Sequence, residues 1–158
     1  MKKLLAAFAA VALTAVLPAQ ATTFSLRTIY VASGVYDSGD AGGLGTATSV
    51  HCTNLSGKSA QVRVAFYADD GAFEGASSAN ALANLATYTV STHGTFFSES
   101  FPLTGPITQG VLNVQSTESG VFCSAMIVDA AGGPGATDVP EGIALHMVRY
   151  NPHPGTVE

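Results

Sequence analysis

Tryptophan is absent from this sequence, and cysteine and basic residues are scarce: two cysteines and six lysines and arginines stand against eleven acidic residues. The shortage of basic side chains argues against binding to nucleic acid or an anionic membrane by charge attraction, because both need a basic protein surface. No apolar run reaches the roughly 20 residues that a membrane-spanning helix requires.

The amino terminus has the pattern of a secretory leader. Two lysines follow Met1, an apolar run covers Leu4–Leu17, and Pro18-Ala19-Gln20-Ala21 supplies an Ala-x-Ala cleavage site. We expect cleavage after Ala21, a periplasmic or extracellular location, and one domain over residues 22–158. No stable membrane insertion is expected once the leader is removed.

The two cysteines predict a disulfide. Export places them in an oxidising compartment, so we expect a Cys52–Cys123 bond. A loop of about 70 residues would contribute roughly 4 kcal/mol in the chain-entropy account. The alternatives are a reactive thiol or a metal ligand, but neither cysteine has a CxxC partner or a basic neighbour.

Short stretches rich in β-branched and aromatic residues alternate with polar turns and predict about seven or eight strands. In 61–68 the alternation is clearest, with Val62, Val64 and Phe66 facing inward. Residues 73–86 are compatible with a short helix or an irregular crossing. The predicted strands cover 24–36, 46–54, 61–68, 87–92, 95–100, 111–117, 121–130 and 143–150.

These elements indicate an all-β fold, an antiparallel β-sandwich or barrel. A bridge from the second strand to the penultimate one would join two facing sheets, which favours a sandwich with one inter-sheet disulfide and immunoglobulin-like topology. The likeness is one of architecture alone. The chain has no tryptophan to pack on the bridge, and Val121 stands where immunoglobulin domains carry a tyrosine.

Histidine offers little local support for a metal site. No HxH or HxxxH spacing joins the histidines, so we predict no metal ligands among them. A blue-copper site would need a free Cys123 thiolate near His146, which the predicted disulfide removes. The histidines are His51, His93, His146 and His153.

Calcium is the remaining metal candidate. Asp37 and Asp40 share a glycine-rich loop, Asp69 and Asp70 share a turn, and carboxylate oxygens are ligands that Ca²⁺ prefers. Neither segment has an EF-hand pattern, and Asx turns explain both without an ion. We assign no metal and no other cofactor.

No catalytic motif is present: the chain has neither a GxSxG elbow nor an SxxK sequence, and we assign no catalytic residues. The leading interpretation is an exported, non-enzymatic structural or protein-interaction domain, with self-assembly through the strand 24–35 as one form. The alternative is a small-ligand or glycan-binding module that uses loops 37–45 and 132–142, with calcium as an optional requirement. A hydrolase or metal-binding protein is the weaker alternative. Tyr36, Tyr67, Tyr88 and Tyr150 are the candidates for stacking on a sugar.

Overall fold

A computed structural model describes residues 25–40, 44–130 and 141–150. The predicted leader and most of the loop 132–142 lie outside these residues. Within them the chain is all β, without a helix. The strands are β1 (Arg27–Asp37), β2 (Thr46–Asn54), β3 (Ala60–Tyr67), β4 (Phe73–Ala76), β5 (Asn80–Leu82), β6 (Thr87–Ser91), β7 (Ile107–Ser116), β8 (Val121–Asp129), β9 (Gly142–Leu145) and β10 (Val148–Arg149).

The strands form two antiparallel sheets. The larger sheet has the order β10-β1-β7-β3, with β4 and β5 both on the outer edge of β3, and the smaller sheet has the order β6-β2-β8-β9. One cluster of buried side chains draws on both sheets, including Val62, Val64 and Phe66 from β3 and Val50 from β2. Burying a Val or Phe side chain contributes about 1.5–3 kcal/mol, so this shared cluster accounts for much of the stability.

The predicted faces of β3 are confirmed. Val62, Val64 and Phe66 are fully buried, while Gln61 and Arg63 are half-buried on the other face. Ser77 interrupts the edge partner of this strand between β4 and β5. Its backbone N–H donates to the Val64 carbonyl (2.9 Å) and its Oγ accepts from the Val64 N–H (3.1 Å). The hydroxyl thereby keeps the backbone of β3 satisfied where the edge strand breaks.

The Cys52–Cys123 disulfide is confirmed, but its predicted position between the two sheets is wrong. The cysteines are facing partners on β2 and β8, neighbours in the smaller sheet, with Cα atoms 4.1 Å apart. Directly opposed residues of an antiparallel pair come this close at non-hydrogen-bonded positions, about 4.5 Å. The bridge therefore ties adjacent strands, and the immunoglobulin-like topology inferred from it is not confirmed.

Three segments differ from their predicted form. Residues 73–86, left open between helix and loop, contain the two short strands β4 and β5. Residues 95–100, predicted as a strand, form a turn that lies on the smaller sheet, with only an isolated bridge between Ser100 and Val90. The predicted last strand, 143–150, is two strands, because β9 pairs with β8 in one sheet and β10 pairs with β1 in the other.

The amino-terminal strand lies inside its own sheet. β1 pairs with β7 over almost its whole length and with β10 at Tyr30 and Val31. This pairing does not support the expectation that residues 24–35 are donated to a neighbouring copy.

Candidate functional site

The strand register separates the charges of the chain. All four basic residues in the described part of the chain adjoin the segment 115–119, which ends β7 and turns into β8. Arg27 faces Ser116 across the β1–β7 pair. The others reach the segment through side chains: Arg63 Nη1 donates to Gln115 Oε1 (3.3 Å), Lys58 Nζ lies 3.0 Å from Glu118 Oε1, and Arg149 Nη2 donates to the Ser119 carbonyl (2.8 Å). We call this group, Arg27, Lys58, Arg63 and Arg149, the basic end.

Carboxylates gather at the opposite ends of the same strands. β1 begins at Arg27 and finishes at Asp37, roughly 30 Å away at 3.3 Å per residue. Thr46 faces Asp129 and its carbonyl accepts from the Ser38 N–H, which places the end of β8 beside the end of β1. We call the group at these strand ends and the following turns the acidic end; it comprises Asp37, Asp40, Asp69, Asp70, Asp129 and Glu141.

A buried histidine–aspartate pair lies at the acidic end. His93 Nδ1 lies 2.8 Å from Asp37 Oδ2, and the two side chains are 3% and 1% exposed. His93 Nε2 lies 3.0 Å from the Leu44 carbonyl, and the Gly39 N–H donates to Asp37 Oδ1 (2.6 Å). Both groups facing the imidazole are hydrogen-bond acceptors, and each engages one ring nitrogen. Both nitrogens of His93 are therefore occupied by contacts within the protein.

A small cavity of about 200 Å³ adjoins this pair. Asp37, Asp40 and His93 line it together with Gly39, Leu103 and Gly105. Because both oxygens of Asp37 accept hydrogen bonds within the protein, this carboxylate already holds the loop and is not free to bind a ligand. We interpret this centre as structural.

The calcium candidates divide into two places. Asp37 and Asp40 lie at the end of β1, whereas Asp69 and Asp70 are exposed in the turn after β3. Asp70 Oδ1 accepts from the Ala72 N–H (2.8 Å), the Asx turn that the sequence allowed. Among the described residues, no group of three or more His, Cys, Asp or Glu could hold a metal ion.

His51 lies on the outer face of the smaller sheet, in a row of polar side chains that pair across β2 and β6. Its Nδ1 lies 3.0 Å from Thr89 Oγ1, and the Phe97 ring meets it edge-on at 5.2 Å between centroids. Its Nε2 is buried without a partner among the described residues. Burial lowers the pKa of His51, and the nearby Glu99 carboxylate opposes that shift. The ring is therefore neutral at pH 7.

The remaining candidates are distributed through the fold. Cys123 is bonded to Cys52, so it offers no thiolate to copper, and His146 is exposed on the crossover from β9 to β10. Tyr88 belongs to the buried core and cannot stack on a sugar, while Tyr36 and Tyr150 are exposed. Within the described residues there is no helix of the length and hydropathy needed to span a membrane.

Sequence reasoning did not predict the buried Asp37–His93 pair or the grouping of the basic residues at one end of the fold. Asp37 and His93 are 56 residues apart, and the basic residues come from four separate strands and turns. The available signal was the position of the few basic residues at predicted strand ends. No protein-family model, curated protein or solved structure matches this chain.

Proposed function

We propose that the chain is an exported, non-enzymatic β-sandwich that serves as a structural or protein-interaction domain of the periplasm or cell exterior. In this proposal copies of the domain associate through their oppositely charged ends. The observation that carries it is the separation of the basic end from the acidic end along β1.

The charge arrangement supports contact between copies of the chain. Charges spread evenly over a surface give weak and unoriented interactions, whereas complementary patches steer association and set its orientation. A basic end that meets an acidic end is a head-to-tail contact, which generates rings or open filaments according to the rotation between copies. The leader-like amino terminus and the disulfide support export.

Ionic strength gives the first test. Sedimentation of the purified protein at about 0.01 M and about 1 M salt compares Debye lengths of about 30 Å and 3 Å. We expect association at low salt and monomers at high salt. A monomer at low salt and high protein concentration contradicts the proposal.

Charge reversal at one end at a time gives the decisive test. Asp69→Lys with Asp70→Lys reverses an exposed turn of the acidic end, and Lys58→Glu with Arg63→Glu reverses half of the basic end. Each double variant alone should be monomeric at low salt. A mixture of the two should recover association, because the intact ends of the two variants are opposite in charge and so are their reversed ends. Absence of association in the mixture, with both variants folded, overturns the head-to-tail contact; Glu99→Gln, on the face of the smaller sheet, is the control that should associate like the wild type.

A further inference from the structure

The basic end contains a pocket that is lined by two of its four basic residues, Arg27 and Arg149. It has a volume of about 280 Å³, and its polar lining comes from Arg27, Thr28, Arg149, Ser116, Glu118, Ser119 and Tyr150. We propose that this pocket binds a compact dianion of the phosphate or sulfate type. The inference goes beyond the proposed function and does not depend on it.

The charge balance of the pocket favours an anion. Two guanidinium groups contribute to its wall, and the carboxylate in the same wall, Glu118, is paired with Lys58 at 3.0 Å. Arg27 makes no ion pair with any carboxylate of the described residues. The positive charge of Arg27 lies in a chain that is acidic overall, with a formal net charge of −5, so its attraction for an anion is local to this pocket.

The arginine on β10 is held in position by the protein. Its Nη2 donates to the Ser119 carbonyl at 2.8 Å, and its guanidinium lies over the ring of Tyr30, 5.8 Å from the centroid. Tyr30 is itself buried, and the Tyr150 N–H donates to the Ile29 carbonyl (2.9 Å), which fixes the backbone next to Arg149. A side chain ordered before binding loses less entropy when a ligand arrives.

The donor types match an oxyanion. Guanidinium groups present paired N–H donors that fit the oxygens of phosphate, sulfate or carboxylate. Ser119 and Tyr150, which line the same pocket, carry hydroxyl groups that are neutral donors. The volume lies just below the range of about 300–1,000 Å³ typical of drug-sized ligand sites, so a compact ion fits better than a large organic molecule.

Titration with the ions themselves tests the proposal. Inorganic phosphate and sulfate are added to dilute, disulfide-bonded protein at constant ionic strength with chloride, and backbone amide shifts are followed by NMR. We expect saturable shifts centred on residues 116–119 and 149–150 for both ions, and much weaker shifts for acetate, a monoanion. Absence of saturation, or shifts centred on other residues, overturns the site.

Variants separate the pocket from general charge. Arg27→Gln removes an exposed side chain at the start of β1 and should weaken binding about tenfold or more, because hydrogen bonds to charged groups are the stronger ones. Arg63→Gln removes the same charge from a neighbouring strand without lining the pocket, and should leave affinity within about twofold. Equal losses in the two variants overturn the proposal. Arg149→Gln serves as the second pocket variant, with its unfolding midpoint measured to confirm that it folds.

The outcomes for the two proposals are distinguishable. Binding of the ion is measured on monomers, so a protein that never associates can still show it. If the protein associates at low salt but binds neither phosphate nor sulfate, the contact between charged ends stands and the proposed anion site is wrong.

Discussion

Cys52 and Cys123 face one another on β2 and β8, the two central strands of the smaller antiparallel sheet. The bond joins residues 71 apart in the chain, although their strands already pair from Thr46 to Asn54. The disulfide therefore reinforces a contact that backbone hydrogen bonds also make, and it closes the long loop that contains β3 to β7.

Removal of the disulfide should reduce stability without changing the fold. We expect Cys52→Ala with Cys123→Ala to lower the free energy of unfolding by about 2–4 kcal/mol, because the unfolded chain loses a cross-link over a long loop. Urea denaturation of the oxidised protein and of the double variant measures the difference. An unchanged midpoint would show that the cross-link has no energetic role.

The Asp37–His93 pair should dominate the stability of the acidic end. Asp37→Asn or His93→Gln disrupts a buried hydrogen-bonded pair and should cost about 1–3 kcal/mol, since polar groups of the remaining partner are left buried and unsatisfied. The double variant should cost clearly less than the two single losses added together. Denaturant unfolding measures all three proteins.

Asp40→Asn is the matched control for that cycle. Asp40 lies in the same loop but is exposed, so its loss should change stability by no more than about 0.5 kcal/mol. Losses that simply add in the double variant would mean that Asp37 and His93 are not coupled.

His51 should make the protein less stable in mild acid. Burial lowers its pKa in the folded state below the ordinary value of 6.5, so the unfolded chain binds the proton more tightly. The stability that neutral His51 contributes is complete above that ordinary value and is lost as the pH falls toward the folded-state pKa.

The difference between wild type and His51→Gln isolates this effect from other titrating groups. Unfolding midpoints are measured from pH 7.5 down to pH 5, and the wild type should lose more stability over this interval than the variant. Parallel pH profiles for the two proteins would count against the assignment.

Local periodicity predicted the strands well, and their pairing poorly. β2 was predicted with its observed bounds, and the inward face of β3 was read from Val62, Val64 and Phe66, because alternation is a property of neighbouring residues. Which strands lie side by side depends on contacts distant in sequence. The positions of Cys52 and Cys123 were therefore compatible with facing sheets as well as with one sheet.

The same limit applies to buried polar groups. Residues 95–100 have the β-branched and aromatic composition of a strand, yet they lie across the smaller sheet, where Phe97 covers His51 and Thr95 Oγ1 lies 3.2 Å from Ser91 Oγ. Ser49, Thr89 and Ser91 are buried on the face of β2 and β6 that this segment contacts. Their burial could not be read from alternation within any one strand.

Gly45, just before β2, should be less replaceable than Gly57. It has a φ of +71°, and a Cβ there would overlap the side chains of Asp40 and Ser38. Gly57 has a φ of +81° but open space around the equivalent position. Both alanine variants incur the backbone cost of about 1–2 kcal/mol for a left-handed L-residue, so the difference between their stabilities isolates the steric crowding at Gly45.

We expect Gly45→Ala to unfold at a lower urea concentration than Gly57→Ala and to displace the Asp37–His93 pair, seen as altered His93 ring shifts by NMR. Equal midpoints for the two variants would mean that Asp40 and Ser38 move aside without cost, and that the loop does not depend on the missing side chain of Gly45.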